Sequence, residues 1–312
     1  MREYPMTLEE FEKRFNTEEA CRDYLFQLRW PNGFECPKCS NTKAWPIGSV
    51  LFECSKCNHQ TSVIAGTIFQ DTHKPLTAWF RAIWWITTQK NGASALGLQR
   101  VLGLGSYRTA WTWLHKIRRA MVRPGRDKLS GYVEVDDAYI GGKEEGGKRG
   151  RGTENKVLTV AAVEVKDGKM GRIRIGAVED ASSDCLHPFI LEAVEEGSTI
   201  NTDGWNGYQG LNKKGYIHEV TIAKNSKKTD LLPHVHIVIS LLKRWLLGTH
   251  HGSASPEHMR YYYDEFTFRF NRRASHYRGK LFYRLIQQAA AISPVPYNEI
   301  VSHSKKSGNH NI

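Results

Sequence analysis

Four of the six cysteines stand in two pairs, Cys36-Pro-Lys-Cys39 and Cys54-Ser-Lys-Cys57, with fourteen residues between them. Each C-x-x-C turn brings two thiolates onto one ion, and two such turns make the tetrahedral soft-ligand set that suits Zn2+. The stretch between them, with Trp45 and Phe52 as apolar anchors, has the length of a short hairpin. The ion would supply folding energy that so small a unit cannot draw from a core. Two disulfides or a redox pair could use the same residues, but a reducing compartment and the lack of a thioredoxin-like setting favour structural zinc. Cys21 and Cys185 stand apart from the pairs and read as small buried apolar residues.

A second set, Asp136, Asp203, His236 and Lys243, is scattered along the chain. Two carboxylates meeting at one sheet edge can hold hard divalent ions, and phosphodiester chemistry uses such ions to activate an attacking oxygen and stabilise a leaving one. Lys243 follows His236 by seven residues, two helical turns. One helix face can therefore bring an imidazole to the ion and an ammonium to a phosphate. Taken singly, each Asp reads rather as a turn or strand-end cap, and His236 as a satisfied, partly buried histidine. Only shared placement would make them a site.

The elements that must do the placing are legible as patterns. A capping box at Thr7-Leu-Glu-Glu opens a helical segment over residues 1–30, and the zinc ribbon takes 31–66. Residues 74–128 are helical: a strongly apolar helix from Pro75, then a helix, a short Gly-containing turn and a second helix from about Ser106 to Met121. That layout is the one of a helix-turn-helix, whose second helix could present Tyr107, Arg108, Thr112 and Lys116 to a major groove, with Arg118 and Arg119 adding positive charge. A plain three-helix bundle is the alternative, and Trp111, Leu114 and Ile117 are core in either case. From Gly131 the period changes to two, giving three hairpin-linked strands, a helix from Asp184, two more strands and a long helix from Val235 to Leu247. Residues 131–250 thus read as an α/β unit with helices covering a sheet. Gly141 to Lys156 reads as a mobile loop. Residues 255–295 read as a C-terminal helical extension, in which Arg272 and Arg273 are candidate phosphate contacts, and 301–312 as a flexible tail.

The charge fits these modules. The 312 residues carry 44 Lys and Arg against 32 Asp and Glu, a formal +12. Residues 1–131 hold 19 basic and 11 acidic groups, 132–240 hold 14 and 17, and 241–312 hold 11 and 4. An acidic middle therefore lies between two basic arms, as expected of a protein that meets a polyanion. No apolar run is long enough to span a membrane, and the start lacks the apolar stretch of a signal peptide. A soluble, cytoplasmic protein is expected.

The set of motifs resembles the bacterial insertion-sequence transposases that join an N-terminal zinc ribbon to a ribonuclease-H-like, DDE-type catalytic domain. The resemblance runs from the ribbon to about Arg273. It rests on Val-Glu-Val-Asp136-Asp-Ala-Tyr-Ile-Gly-Gly, Asn-Thr-Asp203-Gly-Trp-Asn-Gly-Tyr, His236 through Lys243-Arg-Trp-Leu-Leu-Gly-Thr, and Asp264-Glu-Phe-Thr-Phe-Arg-Phe-Asn-Arg-Arg, in that order. It implies a DNA transposase that cleaves at transposon ends and transfers the freed 3′-hydroxyl into target DNA with Mg2+ or Mn2+. By this resemblance Asp136 and Asp203 are the first two catalytic carboxylates and Lys243 the basic residue two turns after the third position. His236 falls at that third position, where the family more often has Glu and where Asn or His also appears, making an Asp-Asp-His set. The implied partners are double-stranded DNA, as terminal inverted repeats and as target, and at least one further copy of the chain in a synaptic complex, the protein lying in the bacterial nucleoid. Imidazole is softer than carboxylate and subtracts no charge, so Mn2+ is favoured over Mg2+. Between Asp230 and Glu257 the chain has no carboxylate, and Asp230 is the fallback ligand. Asp137 should point to the other face of its strand. Two rivals keep the binding features: a zinc-ribbon and helix-turn-helix regulator with an inactive catalytic relic, and a structure-selective nuclease of the same fold.

Overall fold

Helix α1 (Leu8–Arg14) starts where the Thr7 hydroxyl accepts the N–H of Glu10, while the Glu10 carboxylate reaches past the cap to accept the N–H of Met6, a near variant of the expected capping box. Thr17 caps α2 (Glu18–Arg29) through the N–H of Ala20. Strands β1 (Ala44–Ile47), β2 (Leu51–Cys54) and β3 (Gln60–Ser62) form a small antiparallel sheet. Three helices follow, α3 (Leu76–Thr88), α4 (Ala95–Leu102) and α5 (Tyr107–Arg119). Helix α4 ends on Gly103 at φ +61°, a left-handed conformation that glycine adopts without strain and that turns the chain into α5. Trp79 of α3 stacks on Trp113 of α5 with ring centroids 3.8 Å apart. Trp113, Leu114 and Ile117 are buried, whereas Trp111 is only partly so.

The five-stranded sheet comes next. Strands β4 (Tyr132–Gly141), β5 (Lys156–Lys166) and β6 (Lys169–Val178) pair antiparallel, and β7 (Thr199–Thr202) and β8 (Ile217–Val220) continue it in parallel on the other side of β4. Alternation along β4 splits the core in two. Val133 and Val135 face α6 (Ser183–Ala193), packing with Leu186, Ile190, Ile200 and Tyr208. Ile140 and its neighbours on β5 and β6 meet Val235, Val238, Ile239, Leu242 and Leu246 of α7 (Pro233–His250) and the aromatics Tyr262, Tyr263, Phe266 and Phe270 of α8 (Met259–Phe270). This is the mixed α/β sheet with helices on both faces that the resemblance implies.

Helices α9 (Arg278–Ala291) and α10 (Tyr297–Ser302) are the last described elements. A computed structural model describes residues 3–123, 125–141, 156–222, 231–250 and 255–302. These divide into two compact units, 3–123 with 275–302, and 125–274. The expected C-terminal extension is thus shared between the units. The aromatics of α8 bury in the sheet unit, while Phe282 of α9 packs against Phe11, Phe15 and Phe80 of the helical unit. A Cβ on Gly279 would lie 1.6 Å from the Pro5 carbonyl oxygen, so only glycine lets α9 approach the N-terminal segment. The Gly141–Lys156 loop, the 301–312 tail and Asp230 fall largely or wholly outside the described residues. No described helix is long and apolar enough to cross a membrane.

Candidate active site

The two cysteine turns are built alike. The N–H of Ser40 bonds to the Cys36 carbonyl and that of Asn58 to the Cys54 carbonyl, at 2.9 and 3.0 Å, and both Ser40 and Asn58 sit at φ +55°. The left-handed residue just after the second cysteine closes each turn and aims both sulfurs one way. The four Sγ atoms lie within 4.8 Å of one another, with Cys36–Cys57 and Cys39–Cys54 at 3.6 Å. A tetrahedron of thiolates about 2.3 Å from zinc has edges of about 3.8 Å. The sulfurs are not joined as disulfides, and the clustered donor set fits zinc. Burial resists ionisation of Cys54, but the N–H groups of Lys56 and Cys57, together with the Cys39 and Cys57 thiols, outweigh it and draw its thiol down to about 6. Phe52 anchors the hairpin from the inside against Phe26, Trp30 and Phe34. Trp45 does not: it is 66% exposed on the outer face. Cys21 is buried as expected, whereas Cys185 is only partly so.

In the sheet unit His236 meets Asp136, and Asp203 follows the strand next to that of Asp136. Strands β4 and β7 are parallel neighbours with Glu134 opposite Asn201, and two residues further along each strand come Asp136 and Asp203. Asp136 feels the charge of Asp203. From α7, which packs over this face, His236 Nε2 lies 3.1 Å from Asp136 Oδ2. Asp203 Oδ1 accepts the N–H of Trp205 at 3.0 Å, which fixes its carboxylate at the strand end. Burial, first, and the charges of Asp137 and Asp203 push the Asp136 carboxyl up to about 6, against the opposing pull of the Asp137 N–H and of His236. Such a site favours a cation that would relieve the repulsion. Asp137 faces the opposite side, where it accepts the Tyr208 hydroxyl at 3.0 Å. Lys243, two turns after His236, is exposed.

The candidate DNA contacts divide. Tyr107 and Arg108 are exposed at the start of α5, and the Arg108 guanidinium lies over the Tyr297 ring, 3.9 Å from its centroid. Thr112 turns its hydroxyl back to the Arg108 carbonyl at 2.7 Å. Lys116 is partly buried, and burial lowers its pKa. Arg119 is partly buried, and Arg118 is 1% exposed, inside the bundle rather than on a surface where a phosphate could reach it. Its helix turns a wide apolar face inward, and Arg118 falls one residue beyond Ile117 within it. Arg272 lies over the Phe268 ring, and Arg273 donates to the carbonyls of Gly171, Met170 and Phe270. With Asn271, which pairs with both the N–H and the carbonyl of Ile173, Arg273 closes the outer edge of β6. Both arginines therefore have structural employment that sequence alone does not reveal.

Comparison with known families bears on both units. A transposase zinc-ribbon domain matches residues 16–60, and an ISXO2-like transposase domain matches residues 128–271. By family the chain is an insertion-sequence transposase with an N-terminal zinc ribbon. It is also similar to an uncharacterised protein in transposable element ISH50 of Halobacterium salinarum, 26% identical over 262 residues that cover 77% of this chain and 86% of the relative. The transposase domain holds Asp136, Asp203, His236 and Lys243 together, and the ribbon match holds all four clustered cysteines. Two residues of the site were not singled out in the sequence, Glu134 and His234. Glu134 shares strand parity with Asp136, and that is the signal that could have found it.

Proposed function

We propose that this transposase cuts DNA at the ends of its element and joins the freed 3′-hydroxyl to target DNA, with Asp136, Asp203 and His236 as the ligands of Mg2+ or Mn2+. The observation that carries this reading is the contact of His236 Nε2 with Asp136 Oδ2 at 3.1 Å, with Asp203 following the adjoining parallel strand. A divalent cation bound there supplies charge to the attacking and leaving oxygens of phosphoryl transfer. The protein groups do the rest. Asp136 and Asp203 hold the carboxylate pair at one sheet edge, His236 offers its ring nitrogen from α7, and Lys243 on the same helix face meets a phosphate oxygen. In the first step water attacks the phosphorus at the element's end, the P–O3′ bond breaks and the 3′-oxygen leaves with a proton. In the second, that hydroxyl attacks a target phosphorus and displaces the target's own 3′-oxygen, so the number of phosphodiesters is conserved and no energy source is required.

The ribbon and the exposed start of α5, with Tyr107 and Arg108, are the surfaces proposed for double-stranded DNA, the two basic arms supplying a nonspecific attraction that weakens steeply with salt. Charge reversals in the first arm should cost more affinity than reversals between Gly141 and Glu196. Synapsis of two ends calls for a dimer or larger assembly. The test is a reaction of purified protein, labelled terminal-repeat DNA, a plasmid target and Mg2+ or Mn2+. Joined product supports the transposition chemistry, nicks without joining support a nuclease, and binding alone supports a regulator with an inactive relic.

A further inference from the structure

We propose that Glu134 is a positioning residue whose carboxylate fixes the first turn of α7 on β4 and so sets His236 beside Asp136. The inference rests on the reading of His236 as a cation ligand with Asp136 and Asp203. Glu134 is 3% exposed and lies on β4 one pleat before Asp136, on the same face. A buried carboxylate needs partners, and among the described residues its hydrogen bonds all go to α7.

The first turn of α7 has no acidic residue of its own to meet the N–H groups there. Each of them is nevertheless accounted for. Pro233 has none to offer, His234 and Val235 donate theirs to Glu134 Oε2 at 2.8 and 2.9 Å, and His236 donates to the Leu232 carbonyl at 3.1 Å. The other oxygen, Oε1, faces His234 Nδ1 at 2.7 Å, and the far ring nitrogen of His234 faces the Gly168 carbonyl at 3.2 Å, in the turn between β5 and β6. Glu134 therefore acts as the helix cap that the sequence of α7 lacks, supplied from a neighbouring strand. Both of its oxygens are committed to the protein, which makes it a support for the site and not a third carboxylate on the ion. The spacing is short on both sides of the joint: two residues along a stiff strand to Asp136, and one residue along the helix to His236. A shift at this joint passes directly into the distance between the two ligands.

The experiment measures Mn2+ binding by the full-length protein without DNA, at one pH, for the wild type, Glu134→Gln, His236→Ala and the double variant, with zinc content and the unfolding midpoint recorded for each. Loss of a group that orients a metal ligand typically weakens binding about 10- to 100-fold. Glu134→Gln is expected to keep its zinc and its fold while weakening Mn2+ by about tenfold or more, and the double variant is expected to bind no more weakly than His236→Ala alone. If His236→Ala weakens Mn2+ but Glu134→Gln does not, or if the two losses add in full, the positioning role is overturned while the ligand reading stands. If His236→Ala leaves Mn2+ affinity unchanged, the ligand reading itself fails, and the positioning role falls with it. Should Glu134→Gln not fold, His234→Gln removes the contact to Oε1 alone. It is expected to weaken Mn2+ by a smaller factor, with the same lack of additivity with His236→Ala; unchanged affinity in that variant overturns the inference.

Discussion

In the ribbon, four sulfurs come from two matching turns and lie within 4.8 Å of one another, each turn closed by its own backbone hydrogen bond. In the sheet unit, the three candidate donors come from a strand, a strand end and a helix, and the imidazole that meets Asp136 is a hundred residues away in sequence. One geometry is local and the other exists only once the sheet and α7 have packed. The contrast extends to chemistry. Four thiolates close a tetrahedron and leave no place for substrate, as structural zinc sites do, whereas two carboxylates and an imidazole leave coordination positions open. A damaged ribbon should therefore lose a fold, and a damaged sheet site should lose a reaction.

The largest effect expected from this contrast is on the ribbon. Cys39→Ser or Cys57→Ser should abolish zinc binding and unfold the hairpin around Phe52, because the ion's binding free energy, on the order of 10 kcal/mol or more, is what folds so small a unit. Zinc analysis and limited proteolysis of residues 31–66 check it; a folded, protease-resistant ribbon without zinc would break the comparison. Next, Asp136→Asn or Asp203→Asn should leave zinc content and the unfolding midpoint near wild type while lowering DNA cleavage by more than the roughly 100-fold seen for loss of an orienting group. Cleavage assays beside thermal melts measure both. At the α5 surface, Arg108→Ala should weaken DNA binding by about 1–3 kcal/mol. By contrast, Arg118→Ala should lower stability, since that side chain is inside the bundle. Titration of DNA binding and urea unfolding tell the two apart.

A smaller effect follows from pH, and it runs in opposite senses at the two sites. Without a divalent cation, the folded protein keeps a proton on Asp136 between about pH 3.8 and about 6, an interval in which the unfolded chain releases it. This group's contribution to stability therefore declines as pH rises through that window, by an amount on the order of 1 to 3 kcal/mol. Mn2+ bound at the proposed site would reverse the trend, because it would bind the ionised carboxylate and stabilise the fold more as pH rises. In the ribbon, acid protonates the thiolates and expels zinc, so stability is lost as pH falls. Urea unfolding at pH 4.5 and 7, with and without Mn2+, would show whether the sheet unit follows this sign.

The same contrast explains what could be read from the sequence. Ligand spacing is a local property, so the ribbon's cysteines were legible at once, as were the strands from Tyr132 and the helix that carries His236. The pairing of Asp136 with Asp203 was legible only as a condition on strand order, which the parallel β4–β7 pairing meets. Orientation around a helix was the weaker inference. The basic run in α5 suggested a charged face, yet Arg118 turns inward and Lys116 is partly buried. Trp45 was expected to anchor the hairpin, but in a three-stranded sheet only one face packs, and Phe52 occupies it. Glu134 was hidden because its role depends on a helix end a hundred residues on, a contact that no local pattern announces.

The most direct test of the central claim, that Asp136, Asp203 and His236 form one cation-dependent site for DNA strand transfer, is the yield of joined product from labelled terminal-repeat DNA and a plasmid target in Mn2+. The wild type should give joined product, and Asp203→Asn, with normal zinc content and normal end binding, should give none. Joined product from Asp203→Asn at the wild-type yield would contradict the account.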